Sequence, residues 1–191
     1  MKKDWQKAKE IIENDGVVVL PTDTLYGIVG KAESKKEVAK IYKIKARDRN
    51  KPFIVLITSY KDLDIFDIKV EKWQEKFLQK FWPGKVSVIL PCLSNKWRYL
   101  HRGVKSIAFR MISPRNKNLY NLINKVGPLV APSANTEGGR PAETIKEVQN
   151  YFGDKISLYI NDGKKNVEPS TLVRLEDNNW IVLRQGAKEI K

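Results

Sequence analysis

Hydrophobic residues recur along the chain with two spacings, and segments of the two kinds alternate. Five segments carry apolar side chains three and four residues apart, as an amphipathic helix does; they are 3–14, 35–46, 70–82, 115–126 and 143–152. Eight shorter runs are typical of strands: 17–20, 53–57, 86–90, 106–110, 129–131, 156–160, 170–175 and 180–184. The alternation predicts an α/β fold with one mixed, twisted sheet flanked by helices.

The chain is expected to fold as a single domain spanning residues 1–191. No internal repeat, low-complexity linker or shift in composition divides it, and its length fits one domain of the larger sort. No apolar run approaches the roughly 20 residues of a membrane-spanning helix. The N-terminal segment lacks the apolar core of a secretory signal. The sequence therefore predicts a cytoplasmic protein without a membrane partner.

The net charge of the chain favours anionic partners but does not distinguish among them. Lys plus Arg is 36 and Asp plus Glu is 22, which gives a formal net charge of +14 at pH 7. Such a charge attracts nucleotides, RNA and acidic membranes alike. The cations are spread along the chain, so an anion site has to be built into the fold. A single cysteine, Cys92, and a single histidine, His101, exclude an internal disulfide and disfavour a structural zinc site or a Ser-His-Asp device.

Four polar stretches follow or adjoin predicted strands, where binding residues are often found. They are 21–27, 43–52, 131–141, and a discontinuous one made of 161–163, 168–173 and 183–186. Each also has an ordinary structural explanation. Thr and Asp cap helices, cations favour a helix C-terminus, and small residues with glycine form surface turns.

Three of these stretches suit a small anionic ligand. Thr22 and Thr24 flank a carboxylate, and their hydroxyls can bind a polar group. Lys45 and Arg47 suit polyphosphate, because arginine binds it through two parallel hydrogen bonds and lysine acts as a point charge. Small residues over 131–141 let backbone N–H groups approach an anion, although no Walker A loop is present. On these observations alone the binding and structural explanations both stay open.

Taken together, in this order and spacing, the motifs resemble those of the YrdC-type threonylcarbamoyl-adenylate synthase family, in its short single-domain form. The resemblance runs from about Gly16 to Gly186. It rests on Pro-Thr-Asp-Thr-Leu-Tyr-Gly at 21–27, Lys-x-Arg at 45–47, Pro-Gly at 83–84, Pro-Ser-Ala-Asn at 132–135 and Ser-Thr-Leu-Val at 170–173. No single motif is sufficient, whereas the joint match is specific.

This resemblance implies an open, twisted α/β sheet with a basic concave face and a nucleotidyltransferase activity. The family converts L-threonine, bicarbonate and ATP, with Mg²⁺ accompanying ATP, into threonylcarbamoyl-AMP and pyrophosphate. Other proteins then transfer the threonylcarbamoyl group to tRNA. The expected partners are these substrates and the downstream transfer proteins, with contact to RNA or tRNA as a further option. No metal site made of protein side chains is expected.

The resemblance also implies roles for individual residues. The residues expected to hold the ATP phosphates and order the site, and so to form the catalytic set, are Lys45, Arg47, Ser133 and Asn135. The ATP site is expected to include Lys43, Ser106 and Arg184 as well. The expected threonine contacts are Thr22, Thr24, Arg110, Ala131 and Ser170, without a choice between the two threonines. Arg110 is expected to pair with the threonine carboxylate.

Two other functions are compatible with the sequence, and two positions differ from the family pattern. The basic face can serve an RNA-binding module for double-stranded RNA or tRNA without catalysis. A YrdC-like domain that handles carbamoyl-adenylate shares the motifs but usually belongs to a much longer chain. Asp48 stands where many members have proline, and Leu56 where some relatives have histidine. His101 is expected in an exposed basic loop with packed aromatic residues, with a flap over the nucleotide or a tRNA contact as alternatives. Cys92 is expected as a small buried side chain.

Overall fold

The computed structural model describes residues 2–48, 50–165 and 168–190, so that Arg49 of the 43–52 stretch lies outside the described residues. The helices are α1 (Lys2–Glu13), α2 (Lys35–Lys45), α3 (Lys72–Phe81), α4 (Arg98–His101), α5 (Lys117–Val126) and α6 (Ile145–Phe152). The strands are β1 (Val18–Pro21), β2 (Tyr26–Lys31), β3 (Ile54–Ile57), β4 (Val86–Pro91), β5 (Ser106–Met111), β6 (Leu129–Val130), β7 (Thr171–Glu176) and β8 (Asn179–Arg184). Short 3-10 turns lie at Tyr60–Phe66, Asn95–Trp97 and Gly153–Lys155.

The described strands form one sheet in the order β1-β2-β6-β3-β5-β4-β7-β8. β3 runs parallel to β5, and β4 runs parallel to β7. The other neighbouring strands are antiparallel. The predicted α/β architecture with a mixed sheet flanked by helices is therefore confirmed.

Each face of the sheet has its own apolar core, because alternate side chains of a strand point to opposite faces. On one face, Ile12 of α1 and Leu119 of α5 belong to the core that contains Leu20 of β1 and Leu56 of β3. The core on the other face combines side chains of α2, α3 and α6 with those of the central strands, and includes Val38, Phe77, Val148, Val55 and Phe109.

One part of the sheet stays open in the described structure. Ile54, Ala108, Ile89 and Arg174 are neighbours across β3, β5, β4 and β7. Their positions alternate with the core residues of the opposite face, so they share the face that α1 and α5 cover elsewhere. The first three are only partly buried and Arg174 is exposed. We call these four residues the open row; they form a largely apolar floor that a ligand can reach.

Strand β2 was missed by the sequence analysis. Its sequence, Tyr-Gly-Ile-Val-Gly-Lys, contains two glycines, and glycine is depleted in strands. Both glycines give room to a neighbour. A Cβ at Gly30 would lie 2.8 Å from Oε2 of Glu37, and one at Gly27 would lie 3.1 Å from Cγ2 of Thr22. Tertiary packing therefore overrides the local propensity here.

The predicted strand at 156–160 is wrong. Tyr159 forms a single bridge, parallel to Val19. The Val19 N–H donates to the Leu158 carbonyl, and the Ile160 N–H donates to the Val19 carbonyl. The apolar alternation has another cause, because Ile156 and Ile160 are buried in the two different cores.

The expectation for His101 is also wrong, whereas that for Cys92 is confirmed. His101 belongs to α4 and is 2% exposed, and its Nδ1 accepts a hydrogen bond from the Gly103 N–H at 3.0 Å. The 3-10 turn that precedes α4 is packed against the core, because the ring centroids of Trp97 and Phe66 are 4.9 Å apart. Cys92 is buried and free.

Candidate active site

An open cleft collects residues from distant parts of the chain. It is lined by the turn after β1, the start of β2, the segment between α2 and β3, strand β5, the loop after β6, the residues before β7 and the end of β8. Its enclosed part has a volume of about 180 Å³, below the roughly 300–1,000 Å³ of typical ligand pockets. Ile54 belongs both to the cleft and to the open row. The cleft alone is therefore small for a nucleotide, and the open row continues from it at Ile54.

The turn between β1 and β2 is held together by one of its own hydroxyls. Thr22 Oγ1 donates to the Leu25 carbonyl at 2.6 Å and accepts from the Thr24 N–H at 3.2 Å. Thr24 Oγ1 lies 3.2 Å from Thr22 Oγ1. A hydroxyl has a single proton to donate, and that of Thr22 is used within the turn. The contact between the two hydroxyls therefore has Thr24 as its donor, and Thr24 keeps acceptor positions for a ligand.

A buried ion pair joins this turn to strand β5. Arg110 Nη2 lies 2.9 Å from Asp23 Oδ1, and the two side chains are 5% and 14% exposed. The Nε of Arg110 is buried and has no hydrogen-bond partner in the described structure. Nε and Nη2 form the edge of a guanidinium that binds a carboxylate through two parallel hydrogen bonds. Asp23 Oδ1 is also buried without a hydrogen-bond partner in the described structure, so the contact between the two side chains is an ion pair without hydrogen-bond geometry.

A second guanidinium lies close to the first. Arg184 donates from Nη2 and Nε to the Ser170 carbonyl at 2.8 and 3.2 Å. Ser170 Oγ in turn lies 2.8 Å from Oγ of Ser87 on β4. Burial, and then the positive charge of Arg110, lower the pKa of Arg184. Two mutually repelling cations held in one cleft favour the binding of an anion.

Lys45 does not line the cleft but lies behind it. Its side chain is 1% exposed, and Nζ donates to the Ser133 carbonyl at 2.6 Å and to the Asn135 carbonyl. Burial, with a smaller contribution from Arg47, lowers the pKa of Lys45 from 10.5 to about 7. These hydrogen bonds, which we call the Lys45 tie, fix the end of α2 to the loop after β6.

The loop after β6 has a second internal support. Ser133 Oγ donates to Asn135 Oδ1 at 2.6 Å. Asn135 Nδ2 donates to the carbonyls of Thr136 and Gly139 at 2.8 and 2.7 Å. Ser133 lines the cleft, whereas Asn135 is buried and its amide is used to shape the loop.

Arg47 enters the cleft from the segment after α2. Its Nε donates to the Lys51 carbonyl at 3.2 Å, and its guanidinium lies 5.4 Å from the centroid of the Phe53 ring. Glu137 accepts from the Asp48 N–H at 2.5 Å and pairs with Lys51 at 2.6 Å. A proline at position 48 would lack this N–H. The departure from the family pattern therefore adds a contact between the segment and the loop after β6.

The cleft brings together most of the residues that the sequence predicted for a binding site. Those that line it are Thr22, Thr24, Arg47, Arg110, Ala131, Ser133, Ser170 and Arg184. Lys45 and Asn135 lie behind it, and Lys43 is exposed on α2 outside it. Ser106 shares a face of β5 with Arg110 but lies about 13 Å away along the strand. The structure therefore places Ser106 beside the open row and not in the enclosed part.

Two residues of the site were given no role by the sequence analysis. Asp23 was noted as a carboxylate between two hydroxyls, without its link to Arg110. Ser87 was included in an apolar strand, although it is fully buried and contacts Ser170. The available signal was a lone polar residue in an apolar strand, because a buried hydroxyl needs a hydrogen-bond partner.

The described residues contain no group of three or more His, Cys, Asp or Glu side chains that could hold a metal ion. They also contain no helix both long and apolar enough to cross a membrane.

The fold and the cleft define an α/β protein that presents arginines and hydroxyls beside an open sheet face. The chain belongs to the Sua5/YciO/YrdC family, because the family model described as telomere recombination matches residues 10–186. The resemblance inferred from the motifs is thereby confirmed.

Curated relatives of this family cover the chain almost completely. A threonylcarbamoyl-AMP synthase of Pyrococcus abyssi is 29% identical over 181 residues, which are 94% of this chain and 53% of the relative. A protein of the same name from Bacillus subtilis is 28% identical over 183 residues, which are 94% and 52%. The chain thus spans about half the length of these two proteins. A Methanocaldococcus jannaschii relative is 30% identical over 194 residues, which are 100% of this chain and 89% of that one.

Solved structures match the whole fold. The crystal structure of P. abyssi Sua5 complexed with L-threonine has a TM-score of 0.88 at 28% identity and covers 97% of this chain and 55% of that chain. E. coli YciO has a TM-score of 0.86 at 23% identity, with 100% and 93% covered. Full-length HypF in a phosphate- and nucleotide-bound form has a TM-score of 0.81 at 14% identity, with 96% and 29% covered. The last two support the fold alone.

Proposed function

We propose that this chain is an L-threonylcarbamoyladenylate synthase, which forms threonylcarbamoyl-AMP and pyrophosphate from L-threonine, bicarbonate and ATP. The observation that carries the proposal is the meeting of Thr24, Arg110 and Ser170 with Arg47 and Arg184 in one cleft. The names of the P. abyssi and B. subtilis relatives and the threonine complex of P. abyssi Sua5 support it.

The amino acid is assigned to the end of the cleft near β5. The free Nε edge of Arg110 suits the threonine carboxylate, since a guanidinium and a carboxylate match each other through two hydrogen bonds. Thr24 has acceptor positions available for the substrate, and Ser170, which lies 2.8 Å from Ser87 between their Oγ atoms, lines the same cleft. The enclosed volume of about 180 Å³ suits a ligand of this size.

The nucleotide is assigned to the other end and to the open row. Arg47 and Arg184 would hold the phosphates together with Ser133. The adenosine would lie along Ile54, Ala108 and Ile89 towards Ser106, because a partly exposed apolar floor with few polar groups suits a base and a sugar. The phosphate contacts of Lys45 and Lys43, inferred from the family motifs, stay predictions; Lys45 instead contributes through the Lys45 tie.

Mg²⁺ would enter as part of the MgATP substrate. Magnesium in nucleotide sites is commonly held by phosphates, waters and one or two carboxylates. Asp23, which adjoins the lining residues Thr22 and Thr24, is paired with Arg110, and the other available oxygen donors are hydroxyls such as those of Ser133 and Thr24. The residues present therefore fit a metal that the nucleotide brings, and do not build a resident site.

The proposed chemistry needs positioning and charge neutralisation more than a protein nucleophile. Bicarbonate takes up a proton and releases water to give carbon dioxide, and the ammonium group of threonine loses a proton to solvent. The resulting amine forms an N–C bond with the carbon dioxide and releases a second proton, which gives N-carboxy-threonine. An oxygen of this new carboxylate then attacks the α-phosphorus of ATP, and the bond to pyrophosphate breaks. Arg110 would hold the nucleophile while Arg47 and Arg184 stabilise the charge on the departing pyrophosphate.

Pyrophosphate release tests the proposal directly. The protein is incubated with ATP, bicarbonate and magnesium, and with each amino acid in turn. Release that depends on both threonine and bicarbonate is the expected result. Salt-sensitive binding of double-stranded RNA or tRNA without such release would instead favour the RNA-binding module. Delivery to the transfer proteins that act on tRNA, and any contact of this chain with tRNA, stay predictions.

A further inference from the structure

We propose that the Asp23–Arg110 ion pair recognises the substrate as a zwitterion, with Asp23 binding its ammonium group and Arg110 its carboxylate. The inference rests on the proposed function, because it specifies how that cleft selects an amino acid. It gives Asp23 a binding role that the motif comparison leaves open.

The two opposite charges of the pair match those of an amino acid. Asp23 Oδ1 and Arg110 Nη2 lie 2.9 Å apart, so one negative and one positive group stand side by side. An α-amino acid carries the same two charges at a similar separation and in reverse order. Each charge of the ligand can therefore meet its opposite on the protein, and the largely buried setting strengthens both contacts.

Both side chains of the pair have unused hydrogen-bonding capacity. Arg110 is the only ion-pair partner that the described structure gives to Asp23, although a carboxylate can accept several hydrogen bonds. On Arg110, the buried Nε has no partner among the described groups. Asp23 adjoins Thr22 and Thr24, which line the cleft, and its side chain is 14% exposed. Each member of the pair therefore has bonding capacity left for a ligand.

The charge of Asp23 would oppose ligand binding if the cleft bound anions alone. Arg47 is anchored on the Lys51 carbonyl and Arg184 on the Ser170 carbonyl, both neutral groups. Of these three arginines, only Arg110 is paired with a carboxylate in the described structure. A negative charge there weakens the attraction for phosphate or carboxylate, and it becomes favourable when the ligand also carries a positive charge.

The test compares two ligands on two proteins by calorimetry, without ATP. The ligands are L-threonine and (2S,3R)-2,3-dihydroxybutyrate, which has a hydroxyl in place of the amine. Asp23→Asn is expected to weaken threonine binding by about 10- to 100-fold, the range for losing a hydrogen bond to a charged group. Binding of the hydroxy acid should be unchanged or tighter, because the competing charge near Arg110 is gone.

The control is Asp64→Asn, which removes the same charge from an exposed position and should change neither affinity. Equal weakening of both ligands by Asp23→Asn would indicate a structural role for Asp23 and overturn the proposal. Tighter threonine binding would also overturn it, because Asp23 would then act as a competitor of the substrate. Failure of the wild-type chain to bind threonine at all would contradict the proposed function instead.

A measurement on the wild-type chain covers the case in which the variant does not fold. Threonine affinity should fall as the pH rises through the titration of the ligand's own amino group, while that of the hydroxy acid should not. Arg110, Arg184 and Arg47 face the ligand, and Lys45 lies behind the cleft; their charges act on both ligands alike. A threonine affinity that follows that of the hydroxy acid across this range would refute the role of Asp23.

Discussion

Replacing Lys45 with methionine tests whether this amine acts as a buried tie. Methionine keeps a flexible apolar stem of similar length and removes the donor. The Ser133 carbonyl, 2.6 Å from Nζ, and the Asn135 carbonyl would then lose a hydrogen bond. This loss would lower the free energy of unfolding. Removal of the amine would raise it, because burying a charged amine is electrostatically unfavourable. The balance between the two effects depends on pH in a way that can be worked out.

The pH dependence follows from the lowered pKa. Burial lowers the pKa of Lys45 from 10.5 to about 7. For a group with a depressed folded-state pKa, the stability contribution is present above the unfolded value and is lost as the pH falls towards the folded one. At about 1.4 kcal/mol per pKa unit, the wild-type chain should lose roughly 2–3 kcal/mol through Lys45 between pH 9 and pH 6. The methionine variant loses nothing through this position.

Urea unfolding of both proteins at pH 6, 7.5 and 9 provides the measurement. The free energy of unfolding of Lys45→Met, relative to wild type, should rise by about 2–3 kcal/mol from pH 9 to pH 6. Lys43→Met, on the exposed face of the same helix, is the matched control and should show no such trend. A difference for Lys45→Met that stays flat, or falls as the pH is lowered, would refute the reasoning.

The remaining predictions concern the cleft and one buried acid. Arg47→Ala should lower pyrophosphate release about 100-fold, the typical loss for one electrostatic contact in a transition state, with thermal unfolding unchanged; normal turnover would contradict its assignment. Arg110→Ala should weaken threonine binding in calorimetry and largely spare ATP binding; equal threonine affinity would count against it. Burial raises the pKa of Glu37 from 4.5 to about 7, so its contribution to stability is lost as the pH rises through 7. Glu37→Gln should therefore become more stable relative to wild type, by up to about 3 kcal/mol between pH 4 and pH 8; a relative stability independent of pH would contradict this.

The elements that the sequence predicted correctly are those in which local pattern and tertiary burial agree. Helix α5 has Leu119, Leu122 and Ile123 on one face, and all three are buried in one core. The errors arise where packing decides against the local signal. Strand β2 needs glycine to make room for Glu37, and 156–160 is divided between two cores. Neither reason can be read from residue types within the segment.

The sequence predicted most of the residues that meet around the cleft, but not the two layers in which they lie. Polar residues after buried strands predicted which stretches would meet, because such loops gather around the sheet. The sequence treated Lys45, Arg47, Ser133 and Asn135 as one set. The structure divides them, since Arg47 and Ser133 line the cleft while Lys45 and Asn135 shape the loop behind it. Distinguishing the two layers requires knowledge of which side of a loop faces inward, and residue type carries no information on that.

Under the proposed function, the way each cation is anchored accounts for the binding of two different ligands in one cleft. Arg47 and Arg184 are fixed by backbone carbonyls, which orient a guanidinium without cancelling its charge. Both guanidiniums are therefore oriented before a phosphate arrives. Arg110 is fixed by Asp23, so its end is locally close to neutral. A triphosphate placed there would meet a carboxylate, and a neutral zwitterion placed at the other end would leave two arginines uncompensated. Under the proposed function, this anchoring assigns the amino acid to Arg110 and the phosphates to Arg47 and Arg184, and a change of Asp23 should affect amino-acid binding more than nucleotide binding.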